Sequence, residues 1–154
     1  MAKGIRSALL ATFLAGTMAI TLAQEPGPDS GRAVAEVMSR EALDVVTDFS
    51  SEHADVAESL HRLMWFVRSG ELTPETTARV RDAARQRLVG EQHYAVVTGA
   101  LDLASALGDN ETLERIASSA GEVESLGFTE PGMISRIQQL ARAGLAAEAD
   151  PGPR

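Results

Sequence analysis

The chain has 154 residues, 14 basic and 22 acidic side chains, 44% hydrophobic residues, 4% aromatic ones and no cysteine. This length makes one ordinary domain and excludes two large ones. The missing cysteine excludes disulfides, a zinc–thiolate site, a cysteine nucleophile and lipid attachment to an N-terminal cysteine. Lys3 is the single lysine, which removes lysine Schiff-base chemistry and a lysine phosphate loop, and from Gln24 onward 12 basic residues face 22 acidic ones, a net of −10. Such a domain is repelled by nucleic acid and by anionic lipid headgroups, so neither is expected as a partner.

The N-terminus has the layout of an export signal. Lys3 and Arg6 precede an uncharged stretch, Ser7 to Ala23, and the small residues Thr21 and Ala23 occupy the −3 and −1 places of a cleavage site before Gln24. The competing expectation is a retained anchor, for which the stretch is slightly short of the roughly 20 residues that span a bilayer. The predicted organisation is a signal peptide over 1–23, a flexible linker over 24–30, a helical domain over 31–147 and a disordered tail over 148–154. The expected destination is the periplasm or the exterior of a bacterial cell, where a domain without disulfides relies on its apolar core.

Strand signals are almost absent, whereas helix punctuation recurs. Thr73-Pro74-Glu75 combines a hydroxyl cap, a proline at the first helical position and an acid near the positive end of the helix dipole. Asp109-Asn110-Glu111 and Thr129-Glu130-Pro131 follow the same logic, and Gly70, Gly90, Gly108, Gly127 and Gly144 are placed to end or interrupt helices. Apolar spacing between these marks predicts about six helices, over 31–48, 51–69, 74–89, 91–107, 111–126 and 131–147. The first and third carry weaker stripes, Val34-Val37-Met38 and Val80-Ala84-Leu88. The fourth, from Tyr94 to Leu107, is apolar over about half its circumference and is expected to lie between neighbours on two sides. The fifth stripe is Leu113, Ile116, Ala117, Ala120 and Val123. The sixth is Ile134, Ile137, Leu140, Ala141 and Leu145, and Leu113 and Leu140 are expected in the core.

The predicted fold is therefore all-α, short antiparallel helices packed as hairpins. Helix starts roughly 20 residues apart give two-helix units near the period of HEAT-type repeats, and Leu101 to Ile116 looks like the junction between successive helices of such an array. A small HEAT-like solenoid and a compact bundle both satisfy this pattern. Leu72-Thr73-Pro74-Glu75-Thr76 resembles the Leu-Thr-x-x-Gln motif of small periplasmic helical proteins of envelope stress, chaperoning and metal sensing. Thr76 stands at the glutamine position, and Phe128 to Gly132 does not supply the second copy. The resemblance implies an exported, wholly helical protein of that class as an alternative and transfers no functional residue.

Enzyme signatures are missing: no Gly-x-Ser-x-Gly, no His-Glu-x-x-His, no Walker loop and no Gly-x-Gly-x-x-Gly occurs. A carboxylate pair of a cell-wall hydrolase could converge from separate helices without any sequence signature, and stands as a second alternative. His53 and His61 are about 12 Å apart along one helix, too far for one ion. Glu58-Ser59-Leu60-His61 matches one Glu-x-x-His element of carboxylate-bridged di-iron bundles, but the second element is missing because Gly90 precedes His93 at that spacing. No cofactor and no metal are expected, and the three histidines read as interface or edge residues. Arg79, Arg81, Arg85 and Arg87 do not form one stripe and read as a solvated face answering neighbouring acids rather than an anion site.

The functional expectation is a non-enzymatic domain that presents a surface to another protein. Its candidate site is built around Trp65, the only tryptophan. Val56, Leu60, Leu63, Met64 and Val67 cluster on one side of the second helix, and Trp65 falls nearly opposite, beside Glu58, His61 and Arg68. Two arrangements satisfy this wheel. The helix is buried on both sides, as a large aromatic usually implies, or Trp65 with His61 and Arg68 forms a partner-binding anchor.

Overall fold

The computed structural model describes residues 28–90 and 92–149. The expected signal peptide, residues 24–27 of the expected linker and residues 150–154 of the expected tail lie outside the described residues. Seven helices and no strand are found among the described residues: α1 (Pro28–Thr47), α2 (His53–Ser69), α3 (Pro74–Gln86), α4 (Tyr94–Ala106), α5 (Asn110–Ser118), α6 (Ala120–Ser125) and α7 (Pro131–Ala149). The fold is all-α, with neighbouring helices packed as in a compact helical bundle. No helix among the described residues is long and apolar enough to cross a membrane.

The helix ends follow local chemistry. Thr73 caps α3, its hydroxyl accepting from the Thr76 N–H at 3.2 Å, with Pro74 at the first position. Gly70 closes α2 in the left-handed region at φ 69°, its N–H donating to Val67 O, and Gly90, Gly108 and Gly127 also lie at positive φ. Gly144 departs from its expected role. It lies inside α7, where a Cβ would stand 3.1 Å from Ser105 Cβ and 3.2 Å from a Leu113 methyl, so glycine there permits α7 to cross α4 and α5 closely.

The predicted fifth helix is two. Ser119 is extended (φ −120°, ψ 117°), and its hydroxyl accepts from the Glu122 N–H, so Ser119-Ala120-Gly121-Glu122 starts a new helix with a capping-box sequence. The break turns Ala120 outward while Leu113, Ile116, Ala117 and Val123 stay buried. α4 begins three residues later than predicted, at Tyr94, because His93 acts as its cap through Nδ1, which accepts from the Ala95 N–H.

The core runs through the middle of the chain. α4 buries Val96, Val97, Ala100, Leu101, Leu103 and Ala104 and packs against α2, α3, α5 and α7, as its wide apolar circumference predicts. The Val80-Ala84-Leu88 stripe of α3 is buried as expected. Leu113 is fully buried, whereas Leu140 is half-buried and α7 contributes Ile137 and Ala141 instead.

Polar cross-links join the helices. Arg85 makes two bonds to Asp109, at 2.8 and 2.7 Å, and Thr112 Oγ1 donates to the same carboxylate at 2.8 Å. Asp109 is 4% exposed, and the Arg85 guanidinium beside it holds its carboxyl below the usual range. Arg87 is 3% exposed. Its Nε donates to Val46 O at 2.6 Å and its Nη2 to Asp48 O at 2.8 Å, binding the carbonyl end of α1. Arg81 donates to Leu107 O at 3.1 Å. The expected arginine face is corrected in part: Arg85 answers the neighbouring acids Asp109 and Glu111 as expected, whereas Arg81 and Arg87 bind carbonyls at the ends of α4 and α1, so three of these four arginines tie α3 to its neighbours.

Candidate functional site

α1 and α2 pack side by side and leave between them an open apolar groove of 670 Å³. Val34, Ala35 and Met38 line it from α1, and His61, Trp65 and Phe66 from α2. Glu58, Arg62 and Glu71 supply its charged lining, and Gly31 lies at the α1 end.

The groove exists because α1 turns a different face inward than its stripe suggests. The predicted stripe Val34-Val37-Met38 is exposed at 57%, 55% and 38%, while Ala35, Ser39, Ala42, Leu43 and Val46 are buried against α2 and α3. The small side chains Ala35, Ser39 and Ala42 allow close approach on the inner face. Glu36 fixes the rotation by accepting from the Thr73 N–H at 2.7 Å and from Thr76 Oγ1 at 2.6 Å. The Thr76 hydroxyl bond, above all, holds the Glu36 carboxyl below its ordinary value against the opposing effect of burial. The same contacts give Leu72-Thr73-Pro74-Glu75-Thr76 a structural role: Leu72 is buried, Thr73 caps α3, and Thr76 receives Glu36.

Trp65 is 57% exposed. Two-sided burial of α2 is therefore overturned: Val56, Leu60, Leu63 and Phe66 fill the inner side, and no helix among the described residues covers the outer one. Trp65 meets Phe66 edge-on at 5.2 Å between ring centroids. Of the three candidate residues, His61 and Trp65 share the groove, and Arg68 stands outside its lining. Arg68 instead reaches Asp102 of α4 electrostatically, without a salt bridge: Asp102 is exposed as a residue, partial desolvation still raises its carboxyl, and the charges of Arg68 and then His61 oppose that rise. Sequence reasoning missed the α1 wall, because a stripe at helical spacing reads as core until a second, better packed face is seen.

The other candidate chemistry stays separate. His53 and His93 stack at 5.0 Å with rings 11° from parallel, while His61 lies in the groove. Among the described residues, no group of three or more histidine or acidic side chains could hold a metal ion. Glu58 of the Glu-x-x-His element is engaged with Arg62 at 2.9 Å. Comparison with protein-family models, with curated proteins and with solved structures finds no significant match for the chain.

Proposed function

We propose that the chain is an exported, non-enzymatic helical domain that binds another protein through the groove between α1 and α2. The observation that carries this reading is Trp65, more than half exposed across from Val34 and Met38. Covering a large apolar side chain is worth roughly 1.5–3 kcal/mol, and this domain leaves that stabilisation unrealised at several neighbouring positions. Isolated surface apolar residues need no explanation, but a grouped set that includes a tryptophan is the composition of an interface centre. The export signal and the absence of enzyme motifs support the setting and the non-catalytic role.

The test is photo-crosslinking in the expressing cell, with a photoreactive residue placed at Met38 or, as a control, at the exposed Val89 between α3 and α4, outside the groove lining. The expected result is a discrete adduct from Met38 that depends on Trp65 and is missing from Val89. Equal labelling from both positions, or none from Met38, overturns the reading.

A further inference from the structure

We infer that the occupant of the groove is a short cationic amphipathic helix of a partner protein. This deepens the docking reading above and rests on it. The shape argument comes first. The α2 wall runs from Glu58 to Phe66, nine residues whose eight steps span about 12 Å of helix. Two adjacent helix surfaces with a groove between them accept the ridge of a third helix at an axis separation of about 8–10 Å. A slot of this length seats two to three turns, whose apolar side chains at i, i+3, i+4 and i+7 meet Val34, Met38 and Trp65.

Charge then selects the occupant. Within the lining, Arg62 is engaged by Glu58, which leaves Glu71 as the acid with no ion-pair partner within 4.0 Å among the described residues. Beside the groove, Arg68 lies within the electrostatic reach of Asp102 of α4 without forming a salt bridge to it. The lining itself thus holds two acids, Glu58 and Glu71, against one arginine, Arg62, and it sits in the field of a chain whose residues from Gln24 onward carry −10. A second copy brings the same net charge and the same unanswered Glu71. The chain's own N-terminal segment carries Lys3 and Arg6, but on the export reading cleavage before Gln24 removes both from the released protein. A helix with Lys or Arg beside its apolar stripe satisfies both the floor and the rim.

Trp65 is the reporter, because no other tryptophan contributes. The protein is the form that the expressing cell releases, with its N-terminus fixed by mass spectrometry. The probes are tryptophan-free helical peptides with one leucine stripe and a polar face of lysine, glutamine or glutamate. The expected result is that the lysine peptide blue-shifts Trp65 and shields it from acrylamide, at least tenfold more tightly than the glutamine peptide at low salt. The glutamate peptide should do nothing, and Glu71→Gln should reduce the lysine preference severalfold. Met38→Asp separates seating from mere attraction: it adds negative charge yet should abolish the shift. Equal binding of the glutamine or glutamate peptide overturns the inference while leaving the groove a docking site. Undiminished lysine-peptide binding by Met38→Asp overturns it as non-specific. A Trp65 already shielded in the released protein, traced by sedimentation to a dimer or by mass to an attached Ser7–Ala23 segment, overturns it in favour of that occupant. An open Trp65 that no peptide shifts also overturns it, and the Met38 crosslink then decides the docking reading separately.

Discussion

α4 is apolar around much of its circumference, α2 carries one large apolar side chain, Trp65, opposite its apolar cluster, and the two meet different fates. α4 has helices on both sides, and six of its apolar residues vanish into the core. α2 has α4 and α3 on its inner side and α1 along one edge, while Trp65 remains open. A wide apolar face therefore states a demand for neighbours, and the position of the helix in the bundle decides whether the same chain meets it. On α4 the demand is met internally; on α2 it is left for something else.

The sharpest way to break this contrast is to cut into each helix system in turn. Leu101→Ala and Leu113→Ala remove fully buried side chains and should each cost about 2–5 kcal/mol in chemical denaturation. Leu140→Ala, at a half-buried site, should cost less than either. If Leu140→Ala proves the most destabilising, the core is centred on α7 rather than α4.

These sites also show what the sequence could and could not disclose. Caps and glycine stops are local, so Thr73-Pro74 and Gly70 were legible from a few residues, and so were the stripes of α3 and α4. The Ser119 break was equally local, in a Ser-x-x-Glu pattern hidden by the unbroken apolar spacing across it. The roles of Glu36 and Arg87 were not legible, since their partners lie 37 to 41 residues away in the chain. The rotation of α1 is the instructive miss. Periodicity found an apolar face at Val34-Val37-Met38, but Ala35, Ala42, Leu43 and Val46 form a second one, and only packing against α2 and α3 chooses between them. Half of the candidate site is consequently visible in the sequence, its α2 wall with His61 and Trp65, while the α1 wall reads there only as a weak apolar stripe.

A smaller loss is expected at the polar joint that keeps α3 against the α4–α5 corner. Asp109→Asn keeps the shape but removes the charge that Arg85 answers, at a cost of about 2 kcal/mol near neutral pH. The pH dependence follows from the sign of the shift. The Asp109 carboxyl is held below its ordinary value in the folded chain, foremost by the Arg85 hydrogen bonds. Its contribution is thus fully present above the unfolded carboxyl pKa, about 4, and disappears as pH falls through the lower folded value. Denaturation curves of the parent and Asp109→Asn should converge in that acid window. A constant gap down to pH 2 would mean that the joint acts through packing rather than charge.

Trp65→Ala should be milder still, under about 1 kcal/mol, because more than half of the side chain is in water. A loss of several kcal/mol would return Trp65 to the core and make α2 the equal of α4.

The smallest effect on stability should come from Val34→Glu, and it bears most directly on the contrast between the two helices. Val34 is 57% exposed, on the outer face of α1, and its removal exposes nothing and unpairs nothing. Surface changes of this kind stay within about 0.5 kcal/mol. Helical propensity favours glutamate over valine, which offsets part of even that. A carboxylate at this position nevertheless stands in the wall opposite Trp65, where an apolar side chain must dehydrate it on docking, and leaving a charge unpaired in a closed interface costs far more than a surface change. The variant should therefore melt with the parent and lose the Met38 photo-adduct in the cell. A matching change on the covered helix, Leu101→Glu, should unfold the domain outright. If Val34→Glu destabilises the isolated chain by several kcal/mol instead, the outer face of α1 is already packed, and the groove is part of the core rather than an opening for a partner.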